Sequence, residues 1–122
     1  MKGNRVFIND DGIIEIVVNG DQTVDSVQAM GDEALALAQV LQKKGKAALI
    51  LDNLLLMGSV PPEARHLVAE LVKSYDYDRL AMLGHGTALR LGANLILQAT
   101  GKGSRVKYFE DRGKATAWLT AG

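Results

Sequence analysis

Ser59 is the residue whose position best suits regulated chemistry. It follows Gly58 and precedes Val60, Pro61 and Pro62. Proline is favoured in the first turn of a helix, so a helix is predicted to begin at Pro61 or Pro62. The free N–H groups and the positive dipole end of such a helix favour an anion nearby. A phosphate on Ser59, with a charge of about −1.5 to −2, would be tolerated there, although a turn-forming or capping serine fits the same pattern.

His85 lies in a second segment that could bind or react, between Gly84 and Gly86 and ahead of a predicted helix. The third glycine of a dinucleotide-binding loop is absent, and no Gly-Lys-Ser/Thr follows. An enzyme could use His85 with Asp52 or Ser59, if the fold brought them within hydrogen-bond reach. Ser59 lacks the Gly-x-Ser-x-Gly context of an exposed nucleophile, and the histidines show no metal-ligand spacing. We therefore expect no enzyme, no metal and no cofactor.

The elements that must position these residues alternate between strands and helices. Apolar runs rich in β-branched residues predict strands, and apolar residues at helical spacing predict helices. Strands are predicted over residues 5–8, 13–18, 47–51, 79–83 and 105–109. Helices are predicted from Thr23, from Pro61 or Pro62, over residues 87–99, and after a cap at Asp111. The Asp11-Gly12 pair predicts a hairpin between the first two strands.

The order β-β-α-β-α-β-α-β-α predicts an α/β fold, with a mixed, mostly parallel five-stranded sheet and about four helices. We expect residues 1–122 to form one domain, since domains usually contain about 100–150 residues. Ligands and partners of such sheets dock beyond the carboxyl ends of the strands. This rule directs attention to the predicted loop 52–62 and to the segments after residues 83 and 109.

Apolar side chains are more numerous than one small sheet would cover. Four of them stand in the predicted loop 52–62, and Leu91 and Leu95 project from the side of the third helix opposite its sheet-facing residues. They pack within the chain, or they form a homodimer contact, a partner surface or a groove for a hydrophobic ligand between that loop and the third helix. The candidate ligand- or partner-binding residues are Asp52, Leu54, Leu55, Leu56, Met57, Gly58, His85, Gly86, Thr87, Leu91 and Leu95.

Composition excludes several classes of function. Fourteen Lys and Arg balance fourteen Asp and Glu, which argues against a nucleic-acid partner. The absence of cysteine excludes disulfides and thiolate chemistry. No apolar run reaches the roughly 18–20 residues that span a bilayer, and no signal-peptide pattern stands at the start. We expect a cytoplasmic protein.

The ending VKYFEDRGKATAWL, residues 106–119, resembles the last strand and helix of the SpoIIAA-like proteins. The whole element order is similar to the STAS fold of anti-sigma-factor antagonists. This resemblance implies a bacterial-type regulatory protein whose serine, after the central strand, is phosphorylated by a partner kinase, which breaks the complex with that kinase or anti-sigma factor. The equivalent residue here is Ser59, and Gly58 stands where the family commonly has aspartate. The broader group is also similar in fold to lipid-binding domains of the CRAL-TRIO type.

The sequence therefore favours a non-enzymatic regulatory or protein-interaction module. Its expected partner is a kinase or an anti-sigma-like protein, and Ser59 is its candidate phosphorylation site. The alternative is a binding module for a small hydrophobic ligand or lipid. An enzyme using His85 is the third hypothesis.

Overall fold

The computed structural model describes residues 3–100 and 105–121, apart from the side chains of residues 88, 95, 96, 99 and 100. Five strands and four helices alternate as the sequence predicts. The strands are β1 (Arg5–Ile8), β2 (Ile14–Gly20), β3 (Leu49–Met57), β4 (Arg79–Leu83) and β5 (Val106–Phe109). The helices are α1 (Val24–Lys43), α2 (Pro62–Ser74), α3 (Thr87–Thr100) and α4 (Arg112–Thr120).

The sheet has the strand order β1-β2-β3-β4-β5, in which β1 is antiparallel and every other neighbour is parallel. The predicted hairpin is confirmed, and Gly12 adopts the positive φ of 76° that its turn requires. The side chain of Asn9 holds this turn by accepting hydrogen bonds from the backbone N–H groups of Asp11 and Ile13. The hairpin therefore adds an antiparallel edge strand to a parallel sheet.

The helices are divided unequally between the two faces of the sheet. The crossovers β2–α1–β3, β3–α2–β4 and β4–α3–β5 each lead to the next strand in the same direction across the sheet. Because such crossovers are right-handed, α1, α2 and α3 lie on the same face of the sheet. The core on that face combines strand and helix residues, among them Ile14, Ile50, Leu80, Ala34, Val72 and Ala93. On the second face α4 packs through Ala115 and Leu119, against Ile13, Leu51, Ala81 and Leu83. We call these the three-helix face and the α4 face.

Two helix starts are formed by residues that the sequence identifies. Thr23 is the N-cap of α1, and its hydroxyl accepts a hydrogen bond from the Ser26 backbone. The predicted cap at Asp111 is confirmed, because its carboxylate accepts from the Lys114 backbone N–H at 2.9 Å. No helix in the described part of the chain combines the length and apolar character needed to cross a membrane.

The predicted end of the central strand is wrong. β3 continues to Met57, so residues 52–57 form strand and not loop. β2 is also longer than predicted, and Asn19 and Gly20 pair with Leu56 and Met57. On the opposite edge of β3, the pairing with β4 ends at Asn53, which lies opposite Leu83. The last part of β3 therefore projects beyond β4 and is paired with β2 alone.

Candidate functional site

Ser59 is exposed and is bonded to the turn that joins β2 to α1. Its backbone N–H donates to Asp21 Oδ1 at 2.8 Å, and its carbonyl accepts from the Gln22 N–H at 2.8 Å. The Ser59 hydroxyl lies beside the same carboxylate, and the backbone hydrogen bond from Ser59, with a smaller effect of this hydroxyl, lowers the pKa of Asp21. Ser59 does not cap α2, since Pro61 occupies the N-cap position. The polar groups of Ser59 thus hold two segments of the chain together.

Gly58 is glycine because the same turn approaches it closely. Its N–H donates to the Gly20 carbonyl at 2.8 Å. A Cβ atom at position 58 would lie 2.3 Å from Asp21 Oδ1 and 3.0 Å from the Asp21 nitrogen. A side chain at this position, an aspartate included, would require the Asp21 side chain to move and would press against the backbone of residues 20 and 21. The carboxylate beside Ser59 comes instead from Asp21, on another loop.

The predicted apolar surface is partly present. Leu55, Leu56 and Leu91 are exposed by 41%, 60% and 57%, respectively. Leu54 and Met57 are half-buried and pack against the three-helix core. The side chain of Leu95 lies outside the described residues. Leu55 and Leu56 are exposed because this end of β3 projects beyond β4.

His85 and Gly86 directly precede α3, Thr87 is its first residue, and all three are exposed. Gly86 has a φ of 96°, which an L side chain rarely adopts. None of the hydrogen bonds of the described residues joins His85, Asp52 and Ser59 to one another. Nor do those residues contain a group of three or more potential metal ligands. The described part of the chain therefore brings neither Asp52 nor Ser59 into a hydrogen bond with His85.

Asp52 lies within β3 rather than at its carboxyl end, with its side chain on the three-helix face. It pairs in register with Ile16 of β2 and Met82 of β4. Among the described residues, none donates a hydrogen bond to its carboxyl group. The apolar surroundings raise the pKa of Asp52 to about 7, because desolvation disfavours the charged form.

Asp52 faces a cavity of about 80 Å³ between α1, α2 and the sheet. The lining is otherwise almost wholly apolar and includes Val27, Met30, Val68, Leu71 and Leu80. Of residues 52–62, only Asp52 contributes to it, and none of the described α3 side chains does. The cavity therefore lies away from the groove that the sequence suggested, on the other side of α2.

A second carboxyl group, which the sequence reasoning missed, lies on the α4 face. Glu15 is buried, and both its oxygens bind Arg112, at 3.0 and 2.7 Å. Asn9 and Asn53 each donate a further bond at 3.2 Å. The hydrogen bonds from Arg112 lower the pKa of Glu15 to about 2, against the opposing effect of burial. The sequence contains one indication of this ion pair. Glu15 is the acidic residue within the apolar run 13–18, and a carboxylate buried there requires a partner.

Comparison with known proteins agrees with the architecture. A search of curated proteins finds no match. A crystal structure of an uncharacterised protein from the DUF3478 family of Shewanella loihica PV-4, described as having a SpoIIAA-like fold, superposes with a TM-score of 0.70. The two chains are 20% identical, and the match covers 98% of this chain and 95% of the other. The SpoIIAA-like family model matches residues 13–120. The chain belongs to the SpoIIAA-like family and has its STAS-type fold.

Proposed function

We propose that this protein is a non-enzymatic regulatory module that binds another protein and is controlled at Ser59. The SpoIIAA-like fold is consistent with a regulatory role. The observation that carries the proposal is the bonding of Ser59. Ser59 is exposed, so a kinase can reach its hydroxyl, and its backbone forms the contact between the β2–α1 turn and the β3–α2 segment beside the Asp21 carboxylate. The partner is a kinase or an anti-sigma-like protein.

Phosphorylation would act directly on this contact. A partner kinase transfers the terminal phosphoryl group of a nucleoside triphosphate to Ser59 Oγ, and the hydroxyl proton leaves. Ser59 Oγ can then no longer donate a hydrogen bond, and a charge of about −1.5 to −2 stands beside the Asp21 carboxylate. Like charges at this distance repel, so the two segments separate. The exposed end of β3, with Leu55 and Leu56, immediately precedes this contact and would change with it.

The modification has an unambiguous chemical test. Trypsin releases residues 47–65 as one peptide, in which Ser59 is the only residue with a hydroxyl group. We expect mass spectrometry of protein purified from its native host to find a phosphorylated fraction of this peptide. Treatment with a phosphatase should remove the added mass. If the peptide is unmodified under every growth condition, control by phosphorylation of Ser59 is wrong.

The consequence for binding is tested with variants. We expect wild type and Ser59→Ala to recover the same partner from host extract, and Ser59→Asp to lose it. Ser74→Asp is the matched control, because it changes an exposed serine at the other end of α2. Equal recovery of the partner by all four proteins would contradict the switch.

Leu91 is proposed to contribute to a contact between two copies of the chain. Its side chain is exposed on α3. Light scattering should give the mass of a dimer for wild type and of a monomer for Leu91→Glu. Gln98→Glu, an exposed change on the same helix, should leave the dimer intact. A monomeric wild type would show that Leu91 serves another contact.

The cavity beside Asp52 supports a second candidate function, the binding of a small hydrophobic ligand or the end of a lipid. An apolar cavity next to two helices is a common setting for such ligands. Native mass spectrometry of the purified protein should show a bound mass that organic solvent extracts. A protein that carries no added mass, and whose melting temperature no apolar compound raises, would contradict this function.

A further inference from the structure

We propose that the cavity between α1, α2 and the sheet binds the end of a small aliphatic primary amine, whose ammonium group pairs with the carboxylate of Asp52. The inference rests on the proposed ligand-binding function and specifies the chemical class of the ligand. It is carried by the cavity, by its apolar lining and by Asp52, the one residue with a carboxyl side chain among the described residues that line it.

The lining matches the hydrocarbon part of such a ligand. Val27 and Met30 of α1 line the cavity together with Val68 and Leu71 of α2, and burial of ligand methylene groups between them is favourable. A cavity of about 150 Å³ is known to admit benzene. The present volume of about 80 Å³ suits a shorter group, such as the end of an unbranched chain.

The cavity is accessible from outside. Three of its lining residues, Gly31, Leu71 and Tyr75, are partly exposed and come from α1 and the end of α2. A Cβ atom at Gly31 would lie 2.8 Å from Leu71 Cδ1 and 3.3 Å from the Tyr75 hydroxyl. The two helices therefore approach closely at Gly31, and the ligand would enter beside this crossing.

Asp52 determines which polar group can enter. Its carboxyl group accepts no hydrogen bond from the described residues, and an unpaired carboxylate in apolar surroundings is unfavourable. An ammonium group supplies both a hydrogen-bond donor and the opposite charge. A fatty acid would bring a second carboxyl group toward the first, and like charges repel. The cavity should therefore prefer an amine to a carboxylate of the same length.

Among the described residues, no other charged side chain lines this cavity. Asp52 is the sole lining residue in that part of the chain with a charged form near neutral pH. From α1, Asp32 approaches the Tyr75 hydroxyl and contributes to a raised pKa of that tyrosine. The Tyr77 hydroxyl donates to the Val72 carbonyl at 2.6 Å, and burial raises the pKa of Tyr77 to about 12. The facing positions on β2 and β4 are apolar, namely Ile16 and Leu80.

The binding should depend on pH in a characteristic way. The pKa of Asp52 is raised to about 7, so the carboxylate needed by an ammonium ligand forms only as the pH passes this value. Below it, each pH unit lowers the affinity about tenfold. Between about pH 6 and about pH 8, the affinity for an alkylamine should therefore rise about tenfold. A neutral alcohol of the same length should bind without such a change.

The experiment uses the full chain with n-butylamine, 1-butanol and butyrate as probes. Binding is followed by the NMR shifts of the Val68 and Leu71 methyl groups during titration at two pH values. The variant is Asp52→Asn, which keeps the size of the side chain and removes its charge. Asp10→Asn is the matched control, because Asp10 is exposed in the β1–β2 turn. We expect butylamine to bind most tightly, with the pH dependence above, and to lose most of its affinity in Asp52→Asn only.

The other outcomes separate the two proposals. If butanol binds as well as butylamine, and Asp52→Asn leaves both unchanged, the cavity binds apolar ligands but the preference for an amine is wrong. Tighter binding of butyrate than of butylamine would likewise show that the cavity binds ligands but that the preference for an amine is wrong. If no probe shifts the methyl signals at either pH, both the amine and the ligand-binding function are wrong.

Discussion

Glu15 and Asp52 lie on neighbouring strands, yet their surroundings could hardly differ more. In the β2–β3 ladder, Glu15 pairs with Leu51, and the next residue, Ile16, pairs with Asp52. Glu15 points to the α4 face, where Arg112, Asn9 and Asn53 bind it. Asp52 points to the three-helix face, where its neighbours are apolar.

The different surroundings shift the two pKa values in opposite directions. The pKa is lowered to about 2 for Glu15 and raised to about 7 for Asp52. Burial alone raises the pKa of a carboxyl group, and specific donors reverse the shift. Glu15 is a structural carboxylate whose partners the fold supplies, whereas Asp52 receives no hydrogen bond to its carboxyl group from the described residues. The first holds α4 against the sheet, whereas the second is available to a ligand.

The largest effect is expected from Arg112→Ala. Removal of one partner leaves a buried charge without compensation, which commonly costs about 3–5 kcal/mol. Because Arg112 is half-exposed and two asparagines remain, we expect a loss of about 2–3 kcal/mol in the free energy of unfolding near pH 7. Urea denaturation measures it. The exposed Arg65→Ala on α2 is the control and should change little.

The pH dependence sharpens this test. The pKa of Glu15 is lowered from 4.5 to about 2, so its stabilising contribution is present above pH 4.5 and is lost as the pH falls toward 2. The difference between wild type and Arg112→Ala should shrink over that range. A difference that is the same at all pH values would show that Arg112 stabilises the fold by packing alone.

The next effect is expected from Asp52→Asn and has the opposite sign. The folded-state pKa is raised from 3.8 to about 7, so ionisation of Asp52 destabilises the fold increasingly as the pH rises through this window. We expect the variant to be more stable than wild type by about 2 kcal/mol near pH 8, a value reduced from the full shift because Asp52 is partly exposed.

Thermal unfolding at several pH values measures this difference, which should vanish below about pH 4. Asp10→Asn in the exposed turn should show no such trend. A variant that is less stable than wild type at high pH would mean that the carboxylate of Asp52 has a partner in solution.

The smallest effect is expected from Asn53→Ala. The Asn53 amide donates to Glu15 at 3.2 Å, and its oxygen accepts from the Leu55 N–H at 3.1 Å. Loss of these bonds should cost about 1–2 kcal/mol in urea denaturation. Asn94→Ala, exposed on α3, should not destabilise. Asn53 and Arg112 both bind Glu15, so their effects on the free energy of unfolding should not be additive in a double-mutant cycle. Strictly additive losses would contradict this shared binding of Glu15.

Much of the fold follows from local patterns. The hairpin at Gly12, the cap at Asp111 and the alternation of strands and helices depend on residues close in sequence, and all are confirmed. The end of β3 was predicted wrongly because it depends on pairing with β2, a distant segment. Leucine occurs in loops and in strands, so the three leucines at 54–56 do not distinguish the two by themselves. Pairing with β2 makes this segment a strand.

The candidate sites were only partly predictable for the same reason. Ser59 and Gly58 stand out in the sequence, but the contact that gives them a role involves Asp21, on the β2–α1 turn. Asp52 was predicted at a strand end, and the extension of β3 places it within the strand, beside the cavity. Glu15 and Arg112 are far apart in the chain, so their pairing was not foreseen.

The sequence by itself determined the order of the elements, the caps and the family to which the chain belongs. These depend on periodicity, on turn residues and on short-range hydrogen bonds, which act within a few residues. Only the tertiary structure decided which carboxyl group is paired and which is not. Side chains one residue apart in a strand point to opposite faces, and the helices that cover each face come from elsewhere in the chain.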